Sequence, residues 1–254
     1  MKKQRNLKLP EAVHKPLSKQ KKALPMKLFT FIMAISIMAC TLDDTSNEPM
    51  INPSANNYLA LGDSYTIGES VEENLRWPVQ LTNQLNEDGF EVNSPKIIAT
   101  TGWRTDQLKA AIESDDELLE QYDLVSLLIG VNNQYQGRSV ESFAPEFEEL
   151  LQMAIKLAGN DKDKVFVVSI PDYGKTPFGA AKAEQIAREL DDYNAVSKQI
   201  CEKYGVEYIN ITPISRQDDK EGKLVASDNL HPSGYQYGLW VEEMYDEVKA
   251  ILNQ

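Results

Sequence analysis

Short apolar runs alternate with longer amphipathic stretches from about residue 57 to the C-terminus. Five of these runs are almost continuously apolar, which is typical of strands that are buried on both faces. They cover residues 58–61, 97–99, 124–129, 165–170 and 206–209. The stretches between and after them repeat apolar residues at the spacing of one helix face. They predict helices over residues 75–85, 106–119, 140–157, 180–204 and 233–252.

This alternation predicts a single α/β domain over residues 57–254. A strand, a helix and a second parallel strand form a right-handed crossover that lays the helix over the sheet, so a series of such units covers both faces. We therefore expect a three-layer α/β/α sandwich around a central parallel sheet of about five strands. In such sheets the active site lies at the carboxyl ends of the strands.

The N-terminal part of the chain has a different pattern. Residues 28–39 form an uncharged apolar run that follows a basic stretch. Twelve helical residues reach only about 18 Å, whereas a bilayer core of about 30 Å needs about 20 residues. We therefore interpret residues 1–39 as a leader and signal peptide rather than a membrane span. Residues 40–56 are polar, acidic and rich in turn-forming residues, which predicts a flexible tether.

The predicted signal peptide ends in a short motif. Ile37-Met38-Ala39-Cys40 resembles the lipobox of bacterial lipoproteins. The resemblance implies cleavage before Cys40, lipidation of its thiol and anchoring of an exported protein to a bacterial cell membrane. The alternatives are an ordinary cleaved signal and an N-terminal core helix. Met26 is also a natural start for a compact leader, and we hypothesise that translation begins there; N-terminal sequencing that finds residue 1 in the precursor would refute this.

The charge distribution limits the possible partners. The formal net charge is −13, yet nine of the 26 basic residues and only one of the 39 acidic residues precede residue 28. The chain from residue 28 onward is therefore strongly acidic and repels phosphate groups, which argues against a nucleic-acid partner. Cys40 and Cys201 are the two cysteines, so lipidation of Cys40 leaves one thiol and no internal disulfide. We expect Cys201 to be an apolar filler of the core.

Candidate catalytic residues follow the first predicted strand and precede the last predicted helix. In Gly62-Asp63-Ser64-Tyr65, Ser64 lies at the carboxyl end of the first strand. A serine hydroxyl is a weak nucleophile unless a base accepts its proton. The chain has two histidines, and His14 lies in the leader, which leaves His231 as the candidate base. Asp228 precedes it by three residues and can accept a hydrogen bond from the imidazole Nδ1–H.

Two further segments offer donors for an oxyanion. Gly102 follows the second predicted strand, and Asn132 follows the third. Glycine permits a close backbone approach, and an asparagine amide donates without adding a titrating charge. Together with the N–H of Ser64, these groups could form a hole of three donors, each worth about 3 kcal/mol of the barrier.

These segments together resemble the SGNH/GDSL hydrolase family of GDSL-like lipases and acylhydrolases. The resembling blocks are, in the order of the family, Gly62-Asp63-Ser64-Tyr65, Gly102, Gly130-Val131-Asn132-Asn133 and Asp228-Asn229-Leu230-His231. The resemblance runs from about residue 57 to the C-terminus and implies the flavodoxin-like fold of that family. It also implies that Ser64 is the nucleophile, that Ser64, Gly102 and Asn132 form the oxyanion hole, and that Asp228 and His231 complete the triad.

Two residues depart from the family pattern. Tyr65 stands where a leucine gives the motif its name, and Asn133 stands where an aspartate is usual, which puts the support of the oxyanion loop in doubt. Taken singly, each block has a structural alternative, because a Gly-Asp-Ser segment commonly caps a turn and a histidine before Pro232 commonly begins a helix. Their combination in the family order favours the catalytic interpretation.

We therefore expect a serine ester hydrolase acting on small or acyl-chain carboxylic esters, such as acylated glycans or lysophospholipids. The alternative is a non-catalytic surface lipoprotein that uses the same pocket to bind a ligand. No cofactor and no metal are expected, since one histidine and one thiol cannot build a His/Cys site. Four aromatic residues near the strand ends could line an acyl or sugar pocket, with core packing as the alternative. They are Trp77, Trp103, Tyr135 and Phe178.

Overall fold

The computed structural model describes residues 52–254 and contains five strands and eight α-helices in that range. The strands are β1 (Tyr58–Gly62), β2 (Lys96–Ala99), β3 (Leu124–Leu128), β4 (Val165–Val168) and β5 (Glu207–Ile209). The helices are α1 (Ser64–Ile67), α2 (Trp77–Glu87), α3 (Thr105–Ser114), α4 (Val131–Tyr135), α5 (Val140–Leu157), α6 (Ala183–Tyr204), α7 (Thr212–Ser215) and α8 (Gly234–Leu252). Short 3-10 turns occur at Glu73–Leu75, Lys162–Lys164, Tyr173–Lys175 and Ala180–Lys182.

All five strands form one parallel sheet in the order β2-β1-β3-β4-β5. The chain moves from β1 to β2 in one direction and from β2 to β3, β4 and β5 in the other. Since both kinds of crossover are right-handed, α2 must lie on the opposite face from α3, α5 and α6. The helix contacts agree, because α2 packs on α8 whereas α5 packs on α3 and α6. The predicted three-layer fold with five parallel strands is confirmed.

The core lies between the sheet and these two groups of helices. Every residue of β1, β3 and β4 is buried, as the continuously apolar runs predicted. The central strands contribute Leu59, Leu61, Leu127 and Phe166, all of them fully buried. Each such side chain stabilises the fold by roughly 1.5–3 kcal/mol on transfer from water. This layer holds the carboxyl ends of the strands in place.

Two predicted helix boundaries differ from those observed. The helix predicted over residues 106–119 ends at Ser114, because the carboxylate of Asp115 accepts hydrogen bonds from the Glu117 N–H at 2.9 Å and from Lys96 Nζ at 3.0 Å. These bonds favour a turn over further helix. The helix predicted from residue 75 starts at Trp77, followed by Pro78 in its first turn, a position where proline costs the helix no hydrogen bond.

The N-terminal segment is described only in part. The leader, Cys40 and the tether up to residue 51 lie outside the described residues. From residue 52 the predicted tether is joined to the domain: Asn52 and Asn93 exchange two hydrogen bonds, and Asn56 forms a parallel bridge with Val92. None of the helices between residues 52 and 254 is long and apolar enough to cross a membrane.

Gly62 ends β1 where a side chain has no room. A Cβ at this position would lie 2.2 Å from Thr66 Oγ1 and 2.6 Å from the carbonyl oxygen of Leu128. We therefore predict that Gly62→Ala lowers the free energy of unfolding by about 1–3 kcal/mol, the usual cost of overpacking. Urea unfolding measures this change.

The matched control is Gly238→Ala within α8. There the new methyl group meets only the flexible Gln80 side chain, at 3.2 Å. Because alanine is favoured over glycine inside a helix by about 1 kcal/mol, this variant should be no less stable than the parent. Equal unfolding midpoints for the two variants would contradict the prediction.

Candidate active site

The predicted site residues converge at the carboxyl edge of the sheet. Ser64 begins α1 directly after β1, Gly102 lies in the turn after β2, and Asn132 lies in α4 after β3. His231 lies in the loop that leads into α8. These four residues line one cavity, which we call the catalytic cavity, of about 170 Å³. Asp228 contacts His231 from behind this cavity.

The loop geometry between β1 and α1 orients Ser64. The side chain of Asp63 caps α1 by accepting a hydrogen bond from the Tyr65 N–H at 3.0 Å. Asp63 is fully buried, and this burial raises its pKa to about 7, against the opposing effect of the Tyr65 N–H. A carboxylate with its pKa this high is unusual outside functional sites. The residue before Ser64 therefore combines a structural cap with an ionisable group.

Asp228 and His231 form a tightly bonded pair. The Oδ2 atom of Asp228 lies 2.5 Å from His231 Nδ1 and 2.8 Å from Ser70 Oγ. Its Oδ1 atom accepts the backbone N–H groups of Leu230 at 2.9 Å and His231 at 3.0 Å. Burial alone would raise the pKa of Asp228, but the hydrogen bonds from His231, Leu230 and Ser70 hold it well below its ordinary value. An ionised Asp228 keeps the proton on Nδ1 and leaves Nε2 as an acceptor.

The imidazole of His231 is also held by packing. The ring of Tyr65 meets it edge-on at a centroid distance of 5.7 Å, and the same tyrosine packs against Trp240 at 6.3 Å. Within the described residues no hydrogen bond joins Ser64 to His231, although both line the catalytic cavity. Such a bond is often long before substrate arrives, so the arrangement is compatible with proton transfer between them.

The oxyanion donors predicted from sequence line the same cavity. Gly102 has a φ of +85°, a conformation that favours glycine, and nothing lies within 4 Å of a Cβ built on it. One N–H of the Asn132 amide donates to the carbonyl of Trp103 at 2.9 Å. The same nitrogen lies 3.5 Å from Asp63 Oδ2, too far for a strong bond. A substrate oxygen would therefore have to replace only this weak contact with Asp63.

The buried amide of Asn133, the residue after Asn132, joins α4 to the start of α3. Its Oδ1 accepts the Thr105 N–H at 3.2 Å, and its Nδ2 donates to Thr105 Oγ1 at 2.7 Å. Glu146 completes the network, because it accepts from both Thr105 and Asn133 and pairs with Arg138 at 3.4 Å. The asparagine at this position is thus fully hydrogen bonded. Sequence reasoning missed Thr105, Glu146 and Ser70, since no motif or spacing links them to the site.

The aromatic candidates separate into two groups. Trp77 is buried in the core, where its ring meets Phe166 at 6.3 Å, and Trp103 packs partly buried against the core. Tyr135 and Phe178 line the catalytic cavity together with Tyr173, and the three ring centroids lie 6.1–6.4 Å apart. The two tryptophans therefore pack in or against the core, whereas Tyr135 and Phe178 form part of the wall of the catalytic cavity.

The part of the chain that is described has neither a metal cluster nor a reactive thiol. Between residues 52 and 254 no cluster of three or more His, Cys, Asp or Glu side chains is arranged to hold a metal ion. Cys201 is buried and free, and burial raises the pKa of its thiol to about 12. A thiol of this kind is unreactive.

Comparison with known proteins identifies a family whose model covers this site. Residues 60–239 match the model of the GDSL-like lipase/acylhydrolase family, and this range includes every residue that lines the catalytic cavity. No curated protein sequence matches the chain.

Several solved structures share the fold. A GDSL-like lipase described as putative, from Parabacteroides merdae, superposes with a TM-score of 0.62 at 18% identity, covering 79% of this chain and 99% of its own. A psychrotrophic esterase, EstA from Pseudoalteromonas sp., gives 0.57 at 20% identity, with 78% and 100% covered. A mutant of Axe2, an acetyl-xylooligosaccharide esterase from Geobacillus, gives 0.58 at 18% identity, with 76% and 94% covered. At these identities the likeness shows the fold.

The raised pKa of Asp63 leads to a prediction about stability. Because the unfolded chain releases this proton near pH 4 and the folded protein keeps it to about pH 7, the free energy of unfolding falls as pH rises across this interval. Asp63→Asn keeps a capping oxygen but cannot ionise. We predict that the free energy of unfolding of the variant, relative to that of the parent, rises by up to about 4 kcal/mol between pH 4 and 7. Urea unfolding at each pH measures this difference.

Asp106→Asn provides a control of opposite sign. The side-chain hydrogen bond from Arg104 lowers the pKa of Asp106, so its contribution to stability is present above about pH 4 and is lost on acidification. The free energy of unfolding of this variant should not rise relative to that of the parent as pH rises. A flat difference between Asp63→Asn and the parent would show that burial does not shift the pKa of Asp63.

Proposed function

Because the chain belongs to the GDSL-like lipase/acylhydrolase family, we propose that it is a serine ester hydrolase with Ser64 as nucleophile, His231 as base and Asp228 as the orienting acid. The observation that carries the proposal is the 2.5 Å contact between Asp228 Oδ2 and His231 Nδ1 behind a cavity that Ser64 and His231 both line. A histidine oriented in this way presents Nε2 as the acceptor for a serine proton. Family membership and the esterase neighbours support a hydrolase in general; the assignment of residues is the proposal.

The first half-reaction forms an acyl-enzyme. Ser64 Oγ attacks the ester carbonyl carbon while His231 Nε2 takes its proton, and the carbonyl oxygen becomes an oxyanion. The N–H groups of Ser64 and Gly102 and the amide of Asn132 donate to that oxyanion. When the tetrahedral intermediate collapses, the ester C–O bond breaks and the departing alcohol takes the proton from His231. The ionised Asp228 stabilises the transient imidazolium.

The second half-reaction releases the acid. His231, neutral again, accepts a proton from a water molecule that attacks the acyl carbon, and the same donors hold the second oxyanion. The bond between the acyl carbon and Ser64 Oγ then breaks, and His231 returns the proton to Ser64. Each group ends in its starting state, so the cycle needs no cofactor.

The proposed substrates are small or acyl-chain carboxylic esters, such as acylated glycans or lysophospholipids. The catalytic cavity supports an ester with an apolar acyl part, because Tyr65, Val131 and Leu230 form its walls beside the three aromatic rings. Its volume is close to that of a cavity of roughly 150 Å³ that holds one benzene ring. A short acyl group fits such a space.

The second candidate is a non-catalytic lipoprotein that binds a ligand in the same cavity. A binding protein would have no use for an Asp228 that four hydrogen bonds hold against a histidine and keep ionised. This observation favours the enzyme. The two candidates differ in turnover, which the following experiment measures.

Ser64→Ala removes the proposed nucleophile. We predict that the unmodified chain releases p-nitrophenol from acetyl, butyryl and octanoyl esters and that the variant loses at least about 10⁴-fold in kcat. The control is Ser114→Ala, at the exposed end of α3, which should retain the activity of the parent. Far-ultraviolet circular dichroism establishes that the variants fold. Turnover retained by Ser64→Ala would overturn the assignment, whereas no turnover by the parent on any ester would favour the binding protein.

We also propose that the protein is exported and held at a bacterial membrane by a lipid on Cys40. The sequence Ile37-Met38-Ala39-Cys40 after an apolar run supports this proposal, and the acidic body makes direct adsorption to anionic lipid unfavourable. An anchor would place the esterase where extracytoplasmic glycans and lipids occur.

The anchor predicts selective labelling of one cysteine. Cells fed an alkyne analogue of palmitate should label the chain, and the protein should sediment with membranes. Cys40→Ala should abolish the label and the sedimentation. Cys201→Ala is the matched control and should preserve both, since that thiol is buried. Labelling that survives Cys40→Ala would disprove lipidation at this residue.

A further inference from the structure

A second cavity adjoins the catalytic cavity across a wall of three aromatic rings. This outer cavity, of about 430 Å³, shares Tyr135, Tyr173 and Phe178 with the catalytic cavity. Tyr135 and Phe178 are both more than half exposed, although large apolar side chains are normally covered. A ligand that reached from one cavity into the other would cover the exposed faces of these rings.

The far side of the outer cavity is polar. Gln134 Nε2 donates to Glu189 Oε2 at 2.5 Å, and Gln185 Nε2 donates to Glu189 Oε1 at 2.8 Å. Gln134 Oε1 accepts from Tyr173 OH at 3.0 Å, which ties the polar side to the aromatic wall. Lys182 lies at the rim. Each amide in this chain of hydrogen bonds still has a second N–H, and each amide oxygen can accept a further bond.

The chemistry of these walls matches a neutral sugar. Aromatic faces pack against the C–H face of a pyranose ring, while amide and carboxylate groups bond its hydroxyls in both directions. One cation, Lys182, and one anion, Glu189, leave no net charge to attract an anionic group. A long acyl chain is disfavoured, because it would remove these polar groups from water without replacing their hydrogen bonds.

We propose that the outer cavity binds a neutral sugar residue of the leaving alcohol, while the catalytic cavity holds a short acyl group. This proposal rests on the proposed function, since the sugar carries the ester that Ser64 attacks. It selects acylated glycans over lysophospholipids. The two parts of the substrate lie on opposite sides of the wall formed by Tyr135, Tyr173 and Phe178.

The wall is tied to the catalytic loop by the backbone. The N–H of Phe178 donates to the carbonyl of Asn229 at 3.1 Å, one residue from Asp228. Gly179 approaches so closely that a Cβ there would lie 2.1 Å from the carbonyl oxygen of Tyr173. The Phe178 bond therefore joins the wall of the outer cavity to the loop that carries His231, as a substrate spanning both cavities requires.

The test separates sugar binding from ester hydrolysis. Xylotetraose, cellotetraose and chitotetraose, none of them acylated, are titrated into the chain in a calorimeter. The double variant Lys182→Ala with Gln185→Ala removes two polar groups from the outer cavity, and Lys198→Ala removes a lysine from the same helix about 20 Å further along. Hydrolysis of the acetylated form of the tightest-binding sugar is then compared with hydrolysis of p-nitrophenyl acetate.

We expect at least one tetrasaccharide to bind, with a dissociation constant raised about tenfold in the double variant and unchanged in Lys198→Ala. The ratio of kcat/KM for the acetylated tetrasaccharide to that for p-nitrophenyl acetate should fall by a similar factor.

Three results would overturn the proposal. The first is that no sugar binds, and the second is that the double variant binds as tightly as the parent. The third is a preference for octanoyl over acetyl esters that grows in the double variant, because it would place the acyl chain in the outer cavity. Sugar binding that the double variant weakens, without hydrolysis of any ester, would retain the sugar site and disprove the proposed function together with the leaving-group role.

Discussion

The reversal of winding at β1 determines where the polar residues of this chain meet. The crossover from β1 to β2 leads one way along the sheet and the later crossovers lead the other way, so β1 and β3 are neighbours from which the chain departs in opposite directions. The connections leaving these two strands cannot cover the gap between them, which makes this position the ligand site in sheets of this order. Ser64 follows β1 and Asn132 follows β3, so the strand order alone brings them to one crevice.

The rest of the site is fixed by hydrogen bonds rather than by strands. His231 lies in a loop. It is held there because the Asp228 carboxylate accepts hydrogen bonds from the imidazole ring and from the backbone N–H of His231. The loop is closed by the pairing of the Ala226 N–H with the His231 carbonyl at 2.8 Å and is joined to the aromatic wall at Phe178. The position of the imidazole thus depends on contacts between groups more than 50 residues apart in sequence.

The sequence predicts the fold and the meeting of the motif residues because both follow from short-range patterns. The continuously apolar runs identify β1, β3 and β4 to within two residues at each end, and strand ends locate Ser64, Gly102 and Asn132. Contacts between segments distant in sequence leave no such pattern. Ser70 reaches Asp228 across 158 residues, and the network of Thr105, Asn133 and Glu146 joins three separate helices or their connections. The outer cavity likewise exists only once α4, α6 and the segment after β4 are packed together.

Unfavourable conformations and buried charge gather around the same residues. Four non-glycine residues in the described range have a positive φ, and two of them adjoin Asp228. Ser70 donates a hydrogen bond to Asp228, and Asn229 directly follows Asp228 in the sequence. Each such conformation costs of order 1–3 kcal/mol and persists only where the surroundings enforce it. Asp63 adds a carboxylate buried beneath the serine. The two backbone conformations and the buried carboxylate of Asp63 each lower the stability of the fold. The core around the sheet must therefore offset their cost. Each of the three adjoins Ser64 or Asp228 in sequence or by a hydrogen bond, so the cost falls on the two residues whose positions the proposed acyl transfer depends on.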